Sequence, residues 1–252
     1  MTISVTPTES NALAALRTFL VGNPATFAPG ALPAGVEAVL GQVNRVASPK
    51  GPDYAVYWPL RRRRLGTNLD SFADAKFTGT IAGATMTITD VIRGALKVGS
   101  ALFGVDLPGG LAVQAFGTGG GGLGTYTVAP ALVTPFGPGT ISAGVKNIEQ
   151  QTEFTVQIDV HGPNSGDNAQ RISTLLRDDF GVEAFAASGF DVTPLHADEP
   201  RQIPFLNDQN QYENRWVIEA CLQVNDVVQD IPQQFADSAV VGLKDVDAFY
   251  PP

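Results

Sequence analysis

Trp216-Val217-Ile218-Glu219-Ala220-Cys221-Leu222-Gln223-Val224 is the stretch on which the fold turns. Trp216, Ile218, Ala220, Leu222 and Val224 alternate with Val217, Glu219, Cys221 and Gln223. A sustained period of two marks one long, half-buried strand. Upstream, Thr155-Val156-Gln157-Ile158-Asp159-Val160-His161 alternates in the same way and predicts a partner strand. The loop Gly162-Pro163-Asn164-Ser165-Gly166 follows. Ser165 or Asp167 then caps a helix whose face carries Ile172, Leu175 and Leu176 and which ends near Gly181. Asp178-Asp179 is read as the close of that helix, where its charge opposes the macrodipole.

Further out, Thr6-Pro7-Thr8-Glu9 opens a helix, with Thr6 as cap, Pro7 in the first turn and Glu9 completing a capping box. Leu13, Leu16, Phe19 and Leu20 form its apolar stripe, which stops at Gly22. Tyr54-Ala55-Val56-Tyr57-Trp58-Pro59-Leu60 reads as a strand that Pro59 bends or places at an edge. Ala239 to Val246 adds one more strand.

The composition changes between Lys76 and Gly144. More than half of the 27 glycines lie there, and only Lys76, Asp90, Arg93, Lys97 and Asp106 are charged. Thr85-Met86-Thr87-Ile88-Thr89 alternates, and glycine clusters punctuate the apolar runs. This predicts a small all-β module of short strands and frequent turns. The expected architecture is α+β: a core of mixed or antiparallel sheet with flanking helices over 1–75 and 145–252, interrupted by an inserted β module at 76–144.

With 252 residues the chain is long enough for one large domain or two small ones. Its net charge of −9 argues against general affinity for nucleic acid. One cysteine, Cys221, excludes an internal disulfide framework and a Cys-rich zinc site. No run of about 18 apolar residues predicts a membrane span. Met1-Thr2-Ile3-Ser4-Val5 lacks the basic start and apolar core of a signal peptide, so the chain is expected to work in the cytoplasm or in something assembled there.

Catalytic signals are missing. Gly117 to Gly124 opens a strand at Thr125-Tyr126-Thr127-Val128, whereas a phosphate-binding loop needs Lys-Ser or Lys-Thr opening a helix. It is read as a hairpin turn. His161 and His196 are read as surface or loop histidines, and Cys221 as a small hydrophobe rather than a nucleophile. No catalytic, cofactor or metal residues are assigned.

Three phrases carry a family resemblance: Pro59-Leu60-Arg61-Arg62-Arg63-Arg64-Leu65-Gly66-Thr67-Asn68, Gln157-Ile158-Asp159-Val160-His161-Gly162-Pro163, and Tyr212-Glu213-Asn214-Arg215-Trp216. Together they resemble the phage neck and tail terminator proteins. Phe77-Thr78-Gly79-Thr80-Ile81 and Gly124-Thr125-Tyr126-Thr127-Val128 are similar to a β module spliced into various phage structural proteins. The resemblance implies a non-enzymatic virion protein. It would cap the head-proximal end of a tail tube as a six-fold ring and join it to the neck, assembled in the host cytoplasm. Implied partners are further copies of itself, the tail tube protein and a neck or head-completion protein. Genomic DNA would pass through the ring without specific binding, and no membrane is involved. Two alternatives remain open: another neck or head–tail completion protein, or a virion decoration whose β module binds host glycans.

A ring needs two complementary patches on each subunit. Arg61, Arg62, Arg63 and Arg64 form one candidate, read either as a solvated strand end or as a contact to acidic surface on a neighbour. Pro232, Gln233, Gln234 and Phe235 form the other, an aromatic among amides.

Overall fold

The computed structural model describes residues 3–23, 25, 28–42, 49–206 and 212–234. In chain order the elements are β1 (Ser4–Thr6), α1 (Glu9–Val21), β2 (Glu37–Leu40), β3 (Tyr54–Arg64), β4 (Leu69–Arg93), β5 (Leu102–Phe103), β6 (Ala112–Phe116) and β7 (Gly124–His161). Then come α2 (Ser165–Leu176), α3 (Asp179–Ala186), β8 (Val192–Ala197), β9 (Arg201–Gln202), β10 (Phe205–Leu206), β11 (Tyr212–Glu213) and β12 (Arg215–Pro232). The strand expected at Ala239 to Val246 lies outside the described residues.

The fold class differs from expectation. The chain is mostly β, with one large mixed sheet and three short helices among the described residues, and is not a helix-flanked α+β core. Ten strands join in that sheet, along the order β1-β12-β7-β3-β2, while β10 and β11 form a separate ribbon. The expected punctuation of short strands by glycine clusters fails, and β4 and β7 run through glycine and proline alike. A strand tolerates either residue where a bulge, an edge or a close backbone approach removes the need for a side chain or an N–H. β4 doubles back on itself at Gly83, whose φ of +59° suits the turn. Across the doubled strand, Thr89 Oγ1 donates to the Thr78 carbonyl at 3.1 Å, and Arg93 pairs with Asp74 at 2.6 Å.

Residue contacts divide the chain into two compact units. One comprises Ser4–Asp70 and Ile148–Val228; the other comprises Met1–Ile3, Ser71–Asn147 and Gln229–Pro252.

In the first unit all three helices serve one core. Leu16, Phe19 and Leu20 of α1, Ile172 and Leu176 of α2, and Phe185 of α3 pack with Phe154, Val156, Ile158 and Val160 of β7 and Ile218, Ala220, Leu222 and Val224 of β12. Each such side chain contributes about 1.5–3 kcal/mol when fully buried. The predicted alternation is therefore the core face of β12. The cap of α1 sits two residues later than expected. Thr8 accepts from the Asn11 N–H at 3.3 Å, and Asn11 Oδ1 accepts from the Thr8 N–H at 2.9 Å, in place of a Thr6/Glu9 box. The α2 helix has Asn164 at its N-cap with no side-chain cap bond, so neither Ser165 nor Asp167 caps it. Pro59 falls at a register shift between β3 and β7, beyond the Tyr54–Tyr57 stretch that pairs with β2.

In the second unit the core is built without helices: Phe77, Ile81, Met86 and Ile88 of β4, Val113 of β6 and Tyr126, Val128 and Ile141 of β7 pack with Leu96 and Leu111 from the connecting loops. The turn between β6 and β7 is tied to this core by one phenol. Tyr126 Oη donates to the Gly122 carbonyl at 2.6 Å and accepts from the Gly121 N–H at 3.0 Å. A Cβ at Gly119 would lie 2.3 Å from that oxygen, so glycine is required for the approach.

Candidate assembly surface

The candidate surface is the second face of the sheet in the helix-bearing unit. Side chains alternate along a strand. Even positions of β7 enter the core, so Glu153, Thr155, Gln157, Asp159 and His161 share the other face. Glu153, Thr155, Asp159 and His161 are all buried there, screened by the long side chains around them. A buried carboxylate must be paired or hydrogen-bonded. Asp159 pairs with Arg215 and accepts from Gln157 Nε2 at 2.7 Å. Glu153 is bound by two arginines.

Those two belong to the arginine run. Arg61 stands opposite Thr155 and Arg63 opposite Glu153 in the β3–β7 ladder. Arg63 reaches Glu153 Oε2 at 2.7 Å, and Arg61 lies 3.5 Å from Oε1 while donating to Thr155 Oγ1 at 3.3 Å. Arg62 points to the opposite face. It pairs with Asp226 at 2.8 Å and Glu9 at 3.8 Å, and stands 4.8 Å from the centre of the Phe154 ring. Arg64 donates to Gln150 Oε1 at 3.0 Å. Pleating thus splits four adjacent cations between two faces, and carboxylates of the same chain neutralise part of their charge. Arg61 and Arg63 remain about 60% exposed and share a single carboxylate, which leaves positive charge on this face.

At the end of β7 the histidine is not a surface residue. The buried His161 imidazole stacks on Tyr54, with ring centres 4.7 Å apart and planes 2° from parallel. Its Nδ1 lies 3.0 Å from Glu213 Oε1, and the same oxygen accepts from Tyr54 Oη at 3.1 Å. Burial, reinforced by the Glu213 carboxylate, pushes the Tyr54 phenol up to about 12, so it stays a donor. His196 is exposed, as a surface histidine, but sits on β8 opposite Cys221 rather than in a loop. Cys221 is buried, as a small hydrophobe would be, and burial raises its thiol pKa, against a nucleophilic role.

Asp178 and Asp179 also change meaning. They open α3 rather than closing a helix: Asp178 Oδ1 accepts from the Phe180 N–H at 3.1 Å, and Asp179 lies in the first turn. Their charge favours the macrodipole. A sharper signal was present in the sequence, because Asp before an apolar turn is a common N-cap.

The second patch belongs to the other unit. Pro232 ends β12, the Gln233 N–H donates to the Gly144 carbonyl at 3.0 Å, and Gln234 is exposed. Phe235 lies outside the described residues. Gly117 to Gly124 is the turn of a β6–β7 hairpin, with Phe116 opposite Tyr126. Among the described residues no three His, Cys, Asp or Glu side chains group to hold a metal ion, and no helix is long and apolar enough to cross a membrane.

Sequence reading missed Glu153, Asp226 and the Tyr54–His161–Glu213 group as partners. The polar alternation through Glu153, Thr155, Gln157 and Asp159 was legible; which arginines meet it depends on strand register. No individually curated protein matches the chain. Residues 125–246, from the start of β7 through α2, α3 and β12, match the family described as phage neck terminator protein. Over those residues the chain is similar to the phage neck terminator family, a likeness that supports a structural role in a phage neck or tail.

Proposed function

We propose that this protein caps the head-proximal end of a phage tail tube as a six-fold ring and joins it to the neck. The family match over residues 125–246 carries the reading. Capping by geometry requires one face that fits the last ring of tube subunits and another that does not propagate it. The partners are further copies of this chain, the tail tube protein and a neck or head-completion protein. Genomic DNA passes through without specific binding, consistent with a net charge of −9. On the same reading, residues 76–144 are an inserted β module, dispensable for ring formation.

Arg61, Arg63 and Arg64 are the proposed ring contact of one patch, and Pro232 to Phe235 that of the other. Arg62 is excluded because Asp226, Glu9 and Phe154 already engage it. Light scattering and electron microscopy of the purified chain, alone and with tail tubes, test the function. Six-fold rings at the head-proximal tube end are expected. A chain that stays monomeric beside tubes, or that decorates them elsewhere, overturns it. Arg64→Glu is expected to weaken ring formation while changing stability by no more than about half a kcal/mol, the usual range for surface charges, whereas Arg61→Glu would also set a second carboxylate against the buried Glu153.

A further inference from the structure

Three exposed arginines stand apart from the charge pairing found elsewhere: Arg64, which bonds the Gln150 amide, and two that line a cleft. Arg61, Arg62, Arg63, Arg93, Arg177, Arg201 and Arg215 each meet a carboxylate. Arg17 of α1 and Arg171 of α2 make no ion pair among the described residues. Both line one cleft of about 660 Å³, together with Val21, Leu32 and Pro33. A second cleft of about 510 Å³ shares Pro29, Gly30 and Arg171 and adds Leu175 and Phe180. The two make a groove with two guanidinium groups and an apolar end. Asp167 also lines the second cleft, so the cationic character is greatest on the Arg17 side.

This groove suits a segment with paired acids followed by aromatics. Such a segment follows the described residues: Asp245-Val246-Asp247-Ala248-Phe249-Tyr250-Pro251-Pro252. In an extended peptide, residues two apart point the same way, about 6.6–6.8 Å apart. Asp245 and Asp247 then present two carboxylates to guanidinium donors, which bind carboxylates in a two-bond fork. Phe249 and Tyr250 supply the aromatic anchors that apolar pockets take.

We infer that the groove holds residues 245–252 of a neighbouring copy, a segment-exchange contact that would link subunits of the ring proposed above. The test uses full-length protein in which Phe249 is replaced by a photo-reactive phenylalanine, with one pool isotopically labelled. After mixing and irradiation, cross-links between differently labelled chains are expected at residues 14–23 or 167–180. Arg17→Glu with Arg171→Glu should cut their yield by about tenfold or more, as two attractions become repulsions. Adding Asp245→Arg and Asp247→Arg should restore it. Cross-links only within one chain, cross-links elsewhere, or no rescue by the charge swap overturn the inference. Six-fold rings lacking these cross-links would leave the ring standing and remove the exchange; mixed-label cross-links without a ring would do the reverse.

Discussion

The two units reach a dry interior by different routes. In the unit of Ser4–Asp70 and Ile148–Val228, helices cover one sheet face, and the opposite face is free to carry Glu153, Asp159, His161 and their cationic partners. In the unit built around Ser71–Asn147, strands and the loops that carry Leu96 and Leu111 supply the core without a helix, so β4 must double on itself and glycines must admit close contacts. A helix covers apolar surface with an element that satisfies its own backbone. A core without helices needs every neighbouring strand placed correctly before its apolar face is shielded. The first arrangement leaves room for a chemically varied surface; the second concentrates its specificity in turns.

The largest test of this contrast removes one core aromatic from each unit. Phe154→Ala and Phe77→Ala should each cost about 3–5 kcal/mol, the usual range for a buried phenylalanine. Hydrogen exchange read by mass spectrometry should show lost amide protection concentrated in the unit that carries the substitution. Equal loss through both units for either variant would show that they melt as one.

Next in size is the phenol that secures the glycine turn. Tyr126→Phe leaves the Gly121 N–H and the Gly122 carbonyl without their partner, at about 1–3 kcal/mol. Denaturant melts measure the cost, and exchange should quicken first over residues 117–125. An unchanged melt would mean that the strands hold the turn unaided.

Smaller again is the cap of α3. Asp178→Ala should cost about 1 kcal/mol, whereas Asp178→Asn should keep most of it. A gain in stability would restore the reading of Asp178 as the unfavourable end of a helix.

The smallest effect concerns alkaline pH. The folded pKa of Tyr54, about 12, lies above its ordinary 10, so the native state holds this proton more tightly than the unfolded chain. The contribution is fully present below pH 10 and is lost as pH rises toward 12. Tyr54→Phe should flatten that part of the melting-temperature profile, and an identical slope in both proteins would place the loss elsewhere.

Sequence alone determined the local patterns. The alternation of Trp216 to Val224, the stripe Leu13-Leu16-Leu20 with its stop at Gly22, the buried role of Cys221 and the glycine hairpin before Thr125 follow from side-chain periodicity and backbone steric limits, which need no distant partner. The resemblance at Gln157 to Pro163 and at Tyr212 to Trp216, both inside the matched residues, was also legible in the chain.

Tertiary structure decided the balance of strand over helix and the chemistry of the second face. Glycines in β4 and prolines in β7 do not end strands, because neighbouring strands supply the hydrogen bonds and the contacts. Register determines that Arg63 meets Glu153 while Arg62 meets Asp226, across ninety or more positions of chain in either case. His161 is buried and not exposed because Tyr54 and Glu213 arrive from distant segments to stack on it and bond it. Periodicity states which residues share a face; only the assembled sheet states what that face meets.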